Sequence, residues 1–290
     1  MAQEYAYITG GASGLGKAVA IQLASKGIKS FIADRNTAGA EATAQEIGGD
    51  FATVDVTSWE SQVAGFKKAV ELFGRVDYVF AIAGIGSNDW MPPTQTNGDF
   101  QKPNLSVTEV NVHGMLMTVS LGVQQFRRQT ANSHGFRGKV VVAGSVCGVY
   151  PSPGLSIYAA SKHAVTGLVR SWGPELPAEG ITLNCLIPSV MRTNISTPEF
   201  FDALESEGLL TPLHGAVDAC EQLLGSNPVS GQCFEIGPDY DNGQGFTHPK
   251  FATFTDEKHR LVFDKLAVRG VSFKLGAENS KFLEAKSQYF

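Results

Sequence analysis

The sequence predicts an α/β protein with one doubly wound, seven-stranded parallel sheet. Short β-branched or apolar runs alternate with longer segments of helical periodicity, which is the pattern of βαβ units whose sheet is covered on both faces. The predicted strands are residues 5–9, 29–33, 51–55, 78–82, 139–143, 182–186 and 233–236. The predicted helices between them are residues 16–27, 37–47, 60–73, 107–129 and 158–176.

The chain length and the lack of a central linker favour one main domain over two domains of equal size. The chain has 290 residues, close to the upper limit for a single hydrophobic core, and no Pro/Ser-rich linker divides its middle. We therefore expect residues 1–249 to form the domain and residues 250–290 to form a C-terminal extension. Residues 87–103, which contain Pro, Asn and Gly, read as an irregular loop.

Composition narrows the class of partner. Apolar residues make up 43% of the chain and charged residues 18%, which is typical of a folded protein and excludes a disordered or collagen-like one. The net charge of −5 provides no basic field for nucleic acid or anionic lipid, so a small-molecule substrate is expected. No apolar run approaches the roughly 20 residues needed to span a bilayer, so no membrane association is expected.

The cysteines indicate a reducing compartment. Cys147, Cys185, Cys220 and Cys233 are widely spaced, without a C-x-x-C pair or a neighbouring His at metal-ligand spacing. Neither a disulfide framework nor a metal site is indicated. Because the amino terminus also lacks signal-peptide features, a cytoplasmic location is expected.

A glycine-rich turn follows the first predicted strand and opens into a helix. Its sequence is Thr9-Gly10-Gly11-Ala12-Ser13-Gly14-Leu15-Gly16. Glycines 10, 14 and 16 permit a tight turn and a close backbone approach, and the free N–H groups of the following helix face an anion such as a pyrophosphate. In this position the turn predicts a Rossmann-type dinucleotide site rather than an ordinary Gly-rich turn.

A residue at the end of the second predicted strand indicates whether NAD or NADP would bind. Asp34 can accept hydrogen bonds from a ribose 2′-hydroxyl and would repel a 2′-phosphate, which favours NAD over NADP. Arg35 is adjacent, and its guanidinium could partly accommodate such a phosphate. The alternative reading of Asp34 is a strand-end cap.

The glycine spacing, Thr-Gly-x-x-x-Gly-x-Gly, resembles that of short-chain dehydrogenases/reductases, and four further residues match that family. Tyr158 and Lys162 form a Tyr-x-x-x-Lys pair, Ser145 precedes the tyrosine by thirteen residues, and Asn111 lies in a Glu-Val-Asn-Val context. The resemblance covers residues 5 to about 237. It implies that Asn111, Ser145, Tyr158 and Lys162 are the catalytic residues.

The chemistry of this set can be reasoned from the side chains. Residues four apart share a helix face, so Tyr158 and Lys162 point into one cleft. A positive charge nearby, together with an oxidised nicotinamide, would lower the tyrosine pKa from about 10 and let Tyr158 act as general base or acid. Ser145 would hydrogen-bond the substrate oxygen. By resemblance, Asn111 would hold a water and Lys162 would also bind the nicotinamide ribose.

Other segments resemble the family's cofactor contacts. Asp55-Val56 resembles the adenine-binding pair, and residues 188–193 resemble the segment that lines the nicotinamide, although Ser189 replaces the usual glycine. Ala81 replaces the usual first Asn of the Asn-x-Ala-Gly motif. The expected cofactor-binding residues are Thr9, Gly10, Ser13, Gly14, Leu15, Gly16, Asp34, Arg35, Asp55, Val56, Ala83, Gly84, Tyr158, Lys162, Pro188, Val190 and Thr193.

Loops beyond the carboxyl ends of the strands are expected to bind substrate. They lie in residues 85–90, 147–156 and 190–213, and they carry apolar side chains with few charges. We expect an apolar, ring-containing secondary alcohol or ketone, contacted by Trp90, Cys147, Tyr150, Leu155 and Met191. The alternative is that these residues only pack the loops against the domain.

The long helices 107–129 and 158–176 correspond to those that the family uses for subunit pairing, which implies a homodimer or homotetramer. Four apolar residues at helical spacing, Leu116, Val119, Val123 and Phe126, could form the seam or an internal stripe. Besides an NAD(P)-dependent oxidoreductase, two functions remain open: a non-redox enzyme of the same fold, such as a dehydratase, isomerase or cyclase, and a non-catalytic dinucleotide-binding protein.

Overall fold

The computed structural model describes residues 2–87, 89–93, 98–193, 195–238, 245–251, 255–263 and 265. Within these ranges seven parallel strands form one sheet in the order β3-β2-β1-β4-β5-β6-β7, so the predicted fold class is confirmed. The strands are β1 (Tyr5–Thr9), β2 (Lys29–Asp34), β3 (Asp50–Thr53), β4 (Tyr78–Ala81), β5 (Gly138–Ala143), β6 (Ile181–Pro188) and β7 (Cys233–Ile236).

The helices pack on both faces of this sheet. They are α1 (Gly14–Ser25), α2 (Thr37–Ile47), α3 (Trp59–Phe73), α4 (Ser106–Thr108), α5 (Met115–Arg128), α6 (Ser156–Trp172), α7 (Pro198–Ser206) and α8 (Leu213–Gln222). Alternate residues of β1 face opposite layers: Ile8 joins the cluster that contains Val19 and Leu23 of α1, while the Tyr7 ring lies 4.8 Å from that of Phe66 in α3. This two-sided burial explains why the strands are almost wholly apolar.

Two helix predictions need correction, and two helices were not predicted. The predicted helix 107–129 is interrupted by a π-helical turn, Glu109–Gly114, which separates α4 from α5. The predicted helix 158–176 ends at Trp172. Helices α7 and α8 were not predicted, because they have only nine and ten residues and α7 buries a single side chain, Phe201, which leaves no apolar period to detect.

The strand order places a crevice at one edge of the sheet. β1 lies between β2 and β4, with Thr9 paired to Ala33 and to Ala81, so the chain winds in opposite directions on the two sides of β1. The segments that follow these three strands therefore meet beyond their carboxyl ends. In sheets of this kind such a switch point is where ligands bind.

The apolar residues of α5 divide between core and surface. Val119, Val123 and Phe126 are buried against the sheet, so they form an internal stripe and not the subunit seam that was weighed for them. Leu116 alone of the four is exposed, at 39%.

The chain divides into two compact units, Met1–Pro249 and Lys250–Phe290. In the second unit residues 257–263 are helical, while residues 252–254, 264 and 266–290 lie outside the described part. Residues 88 and 94–97 of the expected irregular loop, and residues 239–244, also lie outside it. The described parts of residues 87–103 contain neither helix nor strand. No helix among the described residues is long and apolar enough to cross a membrane.

The division of α5 into a buried stripe and an exposed leucine can be tested by matched truncations. Phe126→Ala should lower the free energy of unfolding by about 3–5 kcal/mol, because it removes a fully buried ring. The control Leu116→Ala should change it by less than about 0.5 kcal/mol. Urea unfolding would measure both, and equal losses would contradict the assignment.

Candidate active site

The glycine turn between β1 and α1 closely approaches the segment after β4. Gly10 has φ +75°, and a Cβ added there would lie 2.7 Å from the backbone of Ala83. A Cβ on Gly16 would lie 2.2 Å from the carbonyl oxygen of Gly10. The side chain of Ser13, the N-cap residue, makes no capping hydrogen bond to α1. The first N–H groups of α1 thus have no cap from the Ser13 side chain. Such N–H groups at the start of a helix can bind an anion.

Asp34, at the end of β2, is tied to this turn. Its Oδ2 accepts a hydrogen bond from the backbone N–H of Ala12 at 3.1 Å, and its Oδ1 accepts one from the N–H of Asn36 at 2.9 Å. Each carboxylate oxygen retains a lone pair for a further donor. Asp34 and Arg35 both line the cavity described below.

Asp55, just beyond β3, remains an ionised carboxylate. Its Oδ1 accepts hydrogen bonds from the N–H of Thr57 at 2.9 Å and from the Thr57 hydroxyl at 2.7 Å. The backbone hydrogen bond and then the hydroxyl hydrogen bond hold its pKa below the ordinary value, and Arg35 adds to the lowering.

Asn111 lies in the π-helical turn between α4 and α5, where its amide fixes the segment that follows β4. Its Oδ1 accepts from the N–H of Ile85 at 2.8 Å, and its Nδ2 donates to the carbonyl oxygen of Ile85 at 3.0 Å and to the Ser161 hydroxyl at 3.1 Å. Gly84 lies between Asn111 and Lys162: a Cβ on it would be 3.2 Å from Asn111 Oδ1 and 3.6 Å from Lys162 Nζ. The π turn therefore brings Asn111 close to Lys162, and such turns are frequent at functional sites.

Lys162 is a buried lysine in α6. Its Nζ donates to the carbonyl oxygen of Ala143, at the end of β5, at 2.9 Å, and it lies 5.5 Å from the centroid of the Tyr158 ring one helical turn earlier. Burial lowers the pKa of Lys162 to about 8. Most molecules thus keep the ammonium at neutral pH.

Ser145 precedes a short 3-10 turn, Val146–Gly148, and lines the same cavity as Tyr158. The N–H of Cys147 donates to Ser145 Oγ at 3.2 Å and fixes that hydroxyl. Burial raises the pKa of Tyr158, and the hydrogen bond from Ser145 opposes this effect. In the protein alone burial dominates, and the lowering of this pKa expected from Lys162 is not seen.

One cavity of about 1170 Å³ joins the glycine turn to the Tyr158 hydroxyl. This exceeds the roughly 300–1,000 Å³ of a typical small-molecule pocket, so the cavity has the volume for more than one small ligand. The cavity brings together most of the predicted site residues: Gly10, Ser13, Gly14, Leu15, Gly16, Asp34, Arg35, Asp55, Val56, Ala83, Gly84, Ser145, Cys147, Leu155, Tyr158, Lys162, Pro188, Val190, Met191 and Thr193.

Four predicted site residues do not line this cavity. The Thr9 hydroxyl donates to the carbonyl oxygen of Phe80 within the sheet, and Asn111 lies behind the cavity wall. The Trp90 Nε1–H donates to the Ser156 hydroxyl at 2.9 Å, and the Tyr150 hydroxyl donates to Glu235 Oε2 at 2.8 Å. Both aromatic polar groups are thus bonded to other parts of the chain, and their substrate contacts remain predictions.

Other lining residues were not singled out from the sequence. They include Ala12, Asn36, Val54, Thr57, Glu109, Val110, Val146, Ile195 and Ser196. Most of them are chain neighbours of motif residues, so proximity along the chain was the available signal. Glu109 and Val110 reach the cavity through the π turn, which no sequence signal marked.

The backbone at Ser189, which replaces the glycine usual in the family, does not require a glycine. None of the described non-glycine residues has a positive φ, so Ser189 adopts an ordinary conformation there. Its N–H donates to the carbonyl oxygen of Ile236 at 2.8 Å, which holds the segment against β7. All four cysteines are free, and the described residues contain no cluster suited to a metal ion.

Comparison with known proteins identifies the family. A model of the short chain dehydrogenase family matches residues 4–202. The chain therefore belongs to the short-chain dehydrogenase family, as the glycine turn and the Tyr158–Lys162 pair indicate.

Individual relatives agree with this assignment. The chain is 33% identical to the short-chain dehydrogenase/reductase prx4 of Penicillium rubens over 70% of this chain and 59% of that protein. It is 34% identical to levodione reductase of Leifsonia aquatica over 64% of this chain and 68% of the relative. A solved 3-ketoacyl-(acyl-carrier-protein) reductase from Brucella melitensis, complexed with NADH, has the same fold, with TM-score 0.68 and 24% identity over 81% of this chain and 97% of that one.

The buried ammonium of Lys162 should cost stability. Folding lowers its pKa from 10.5 to about 8, so the protonated form is penalised below pH 8, and the penalty disappears as pH rises toward 10.5. Lys162→Met should raise the free energy of unfolding at neutral pH by on the order of 1–3 kcal/mol, with a smaller gain at alkaline pH.

Chemical denaturation at neutral and alkaline pH would measure this gain. The matched control is Lys68→Met, since Lys68 is exposed and also donates to a backbone carbonyl, that of Phe51 at 2.9 Å. The assignment of a destabilising buried ammonium would be contradicted if Lys162→Met lowered the free energy of unfolding. A gain in that free energy that does not change with pH would also contradict it.

Proposed function

We propose that the protein is an NAD(P)-dependent oxidoreductase that interconverts a secondary alcohol and a ketone on an apolar, cyclic small molecule, with Tyr158 as general acid and base. The observation that carries the proposal is one cavity that holds Tyr158, Ser145 and Lys162 together with the glycine turn and Asp34, with Lys162 Nζ 5.5 Å from the centroid of the Tyr158 ring. Membership of the short-chain dehydrogenase family supports it.

The residues divide the work of proton transfer. In reduction Tyr158 donates its proton to the carbonyl oxygen, and its raised pKa keeps it protonated for this step. Ser145 donates a hydrogen bond to the same oxygen and stabilises its developing negative charge. Lys162 stabilises the phenolate that remains, because the pKa of about 8 leaves its ammonium charged at neutral pH.

The cofactor half of the cavity suits a nicotinamide dinucleotide, which supplies or accepts the hydride when bound. The uncapped N–H groups of α1 and the close approach at Gly10 suit a pyrophosphate. Asp34 would accept from the ribose hydroxyls, which favours NAD over NADP. Asp55, Val56, Ala83 and Gly84 would contact the adenine side, and Pro188, Val190 and Thr193 the nicotinamide side.

The substrate half of the cavity favours an uncharged ligand. The cavity that holds Tyr158 is also lined by Ile85, Cys147, Leu155, Met191, Ile195 and Phe200, all of them uncharged. Two relatives, levodione reductase and the 3-oxoacyl-[acyl-carrier-protein] reductase of Bos taurus, have names that denote carbonyl reduction. A cytoplasmic homodimer or homotetramer, paired through α5 and α6, completes the proposal.

The two other functions weighed from the sequence are separated by one assay. Absorbance of the reduced nicotinamide, followed with alicyclic and aromatic secondary alcohols and ketones under NAD and then NADP, detects turnover directly. Dinucleotide binding without turnover of any alcohol or ketone would favour a non-redox enzyme or a non-catalytic binding protein.

Tyr158→Phe tests the proton-transfer step. The variant should lose turnover while it retains dinucleotide binding, because only the transferable proton is removed. Tyr78→Phe is the matched control: its hydroxyl donates to Glu4 at the opposite edge of the sheet, and its turnover should be unchanged. Steady-state rates and fluorescence titration measure the two properties, and an undiminished rate in Tyr158→Phe would overturn the mechanism.

Asp34→Ala tests the cofactor preference. Loss of a charge-assisted hydrogen bond to the ribose should reduce the NAD/NADP ratio of kcat/KM by roughly ten- to a hundredfold. The control Asp55→Ala removes a neighbouring carboxylate that holds Thr57 and should change both cofactors alike. An unchanged ratio in Asp34→Ala would mean that another residue reads the ribose.

A further inference from the structure

Helix α7 is a short element that contributes an apolar side chain to the cavity. It has nine residues, too few to be stable alone, and it buries only Phe201. Its Phe200 lines the substrate half of the cavity although the residue is 46% exposed. The position of Phe200 therefore depends on what anchors α7 to the domain.

Besides the buried Phe201, the side chain of Arg192 anchors α7. One of its terminal guanidinium nitrogens lies 2.8 Å from Asp202 Oδ1 and 2.7 Å from Glu205 Oε2, two carboxylates three residues apart on α7. Its guanidinium carbon lies 5.6 Å from the centroid of the Phe201 ring. Among the described residues these are the ion pairs that α7 makes. The two carboxylates and the ring form one network around a single cation, where networks contribute more than isolated surface pairs.

The main chain that carries Arg192 is held independently of its side chain. The Ser189 N–H donates to the carbonyl oxygen of Ile236 at 2.8 Å, and the Thr211 N–H donates to the carbonyl oxygen of Val190 at 2.8 Å. Both neighbours of Arg192, Met191 and Thr193, line the cavity. Loss of the guanidinium should thus release α7 and leave the proposed nicotinamide segment in place.

We propose that Arg192 is a positioning residue for the substrate: it clamps α7 so that Phe200 closes over the apolar ligand beside Tyr158. This inference rests on the proposed function for its kinetic consequence, but the clamp itself is a property of the protein without substrate. Because the three clamping groups are exposed, the clamp weakens as salt screens them.

Kinetics of Arg192→Met measure the consequence. The substrate KM should rise about three- to tenfold, while kcat and the cofactor KM stay within about twofold of the wild type. Arg192→Lys should recover part of the loss, since an ammonium can pair with one carboxylate. Added salt should raise the substrate KM of the wild type and leave that of Arg192→Met unchanged.

The matched control is Arg127→Met. Arg127 is also an exposed arginine paired through two nitrogens to a carboxylate, Glu179, at 2.6 and 2.7 Å, but it does not line the cavity. Its removal should leave every kinetic constant unchanged. A substrate KM that rises equally in both variants would indicate general destabilisation and overturn the proposal.

Hydrogen exchange by mass spectrometry supplies a readout that needs no turnover. Amides of residues 199–206 should exchange faster in Arg192→Met than in the wild type, and at the wild-type rate in Arg127→Met. If the wild type oxidises or reduces no substrate, the proposed function fails. The exchange data would then still show whether Arg192 anchors α7. Unchanged exchange, or faster exchange with an unchanged substrate KM, would overturn the positioning role.

Discussion

The site depends on one buried ammonium held at the carboxyl end of β5. Lys162 donates to the carbonyl oxygen of Ala143, lies 5.5 Å from the centroid of the Tyr158 ring, and lies beside Gly84, where an added Cβ would be 3.6 Å from Nζ. A charge in this position is costly, and burial lowers its pKa to about 8. The ammonium is held in place because β5, α6 and the π turn at Asn111 meet around it. A buried positive charge is expected at a functional site where a phenolate has to be stabilised.

The fold brings the two halves of the cavity together through the switch in strand order at β1. The glycine turn and Asp34 lie on one side of the switch, and Ser145, Tyr158 and Lys162 lie on the other. A further wall comes from Pro188 at the end of β6 and from the segment beyond it, with Met191, Thr193 and Phe200 of α7. In the proposed function, dinucleotide binding and proton transfer would rest on strand ends, while substrate fit would rest on a short helix held by side chains.

The sequence predicts those parts of the site that local spacing determines. The glycine turn, Asp34 and the Tyr158–Lys162 pair lie within single strand–turn–helix segments, so their relative positions follow from secondary structure. Tyr150 and Trp90 were expected near the substrate, but their polar groups bond Glu235 and Ser156, 85 and 66 residues away along the chain. Such contacts are decided by tertiary packing. The π turn at Asn111 and helix α7 left no period in the sequence, because the first is a local insertion and the second buries one side chain.

The ionisation of Tyr158 tests the central claim most directly, and it requires no substrate. Ultraviolet absorbance of tyrosinate, measured against pH as the difference between the wild type and Tyr158→Phe, isolates this one phenol. We expect the pKa of Tyr158 to lie above 10.0 in the protein alone, because burial raises it, and to fall when oxidised dinucleotide is added. A phenol that titrates at its ordinary value both with and without the dinucleotide would contradict the proposal that this buried group is the proton donor and acceptor.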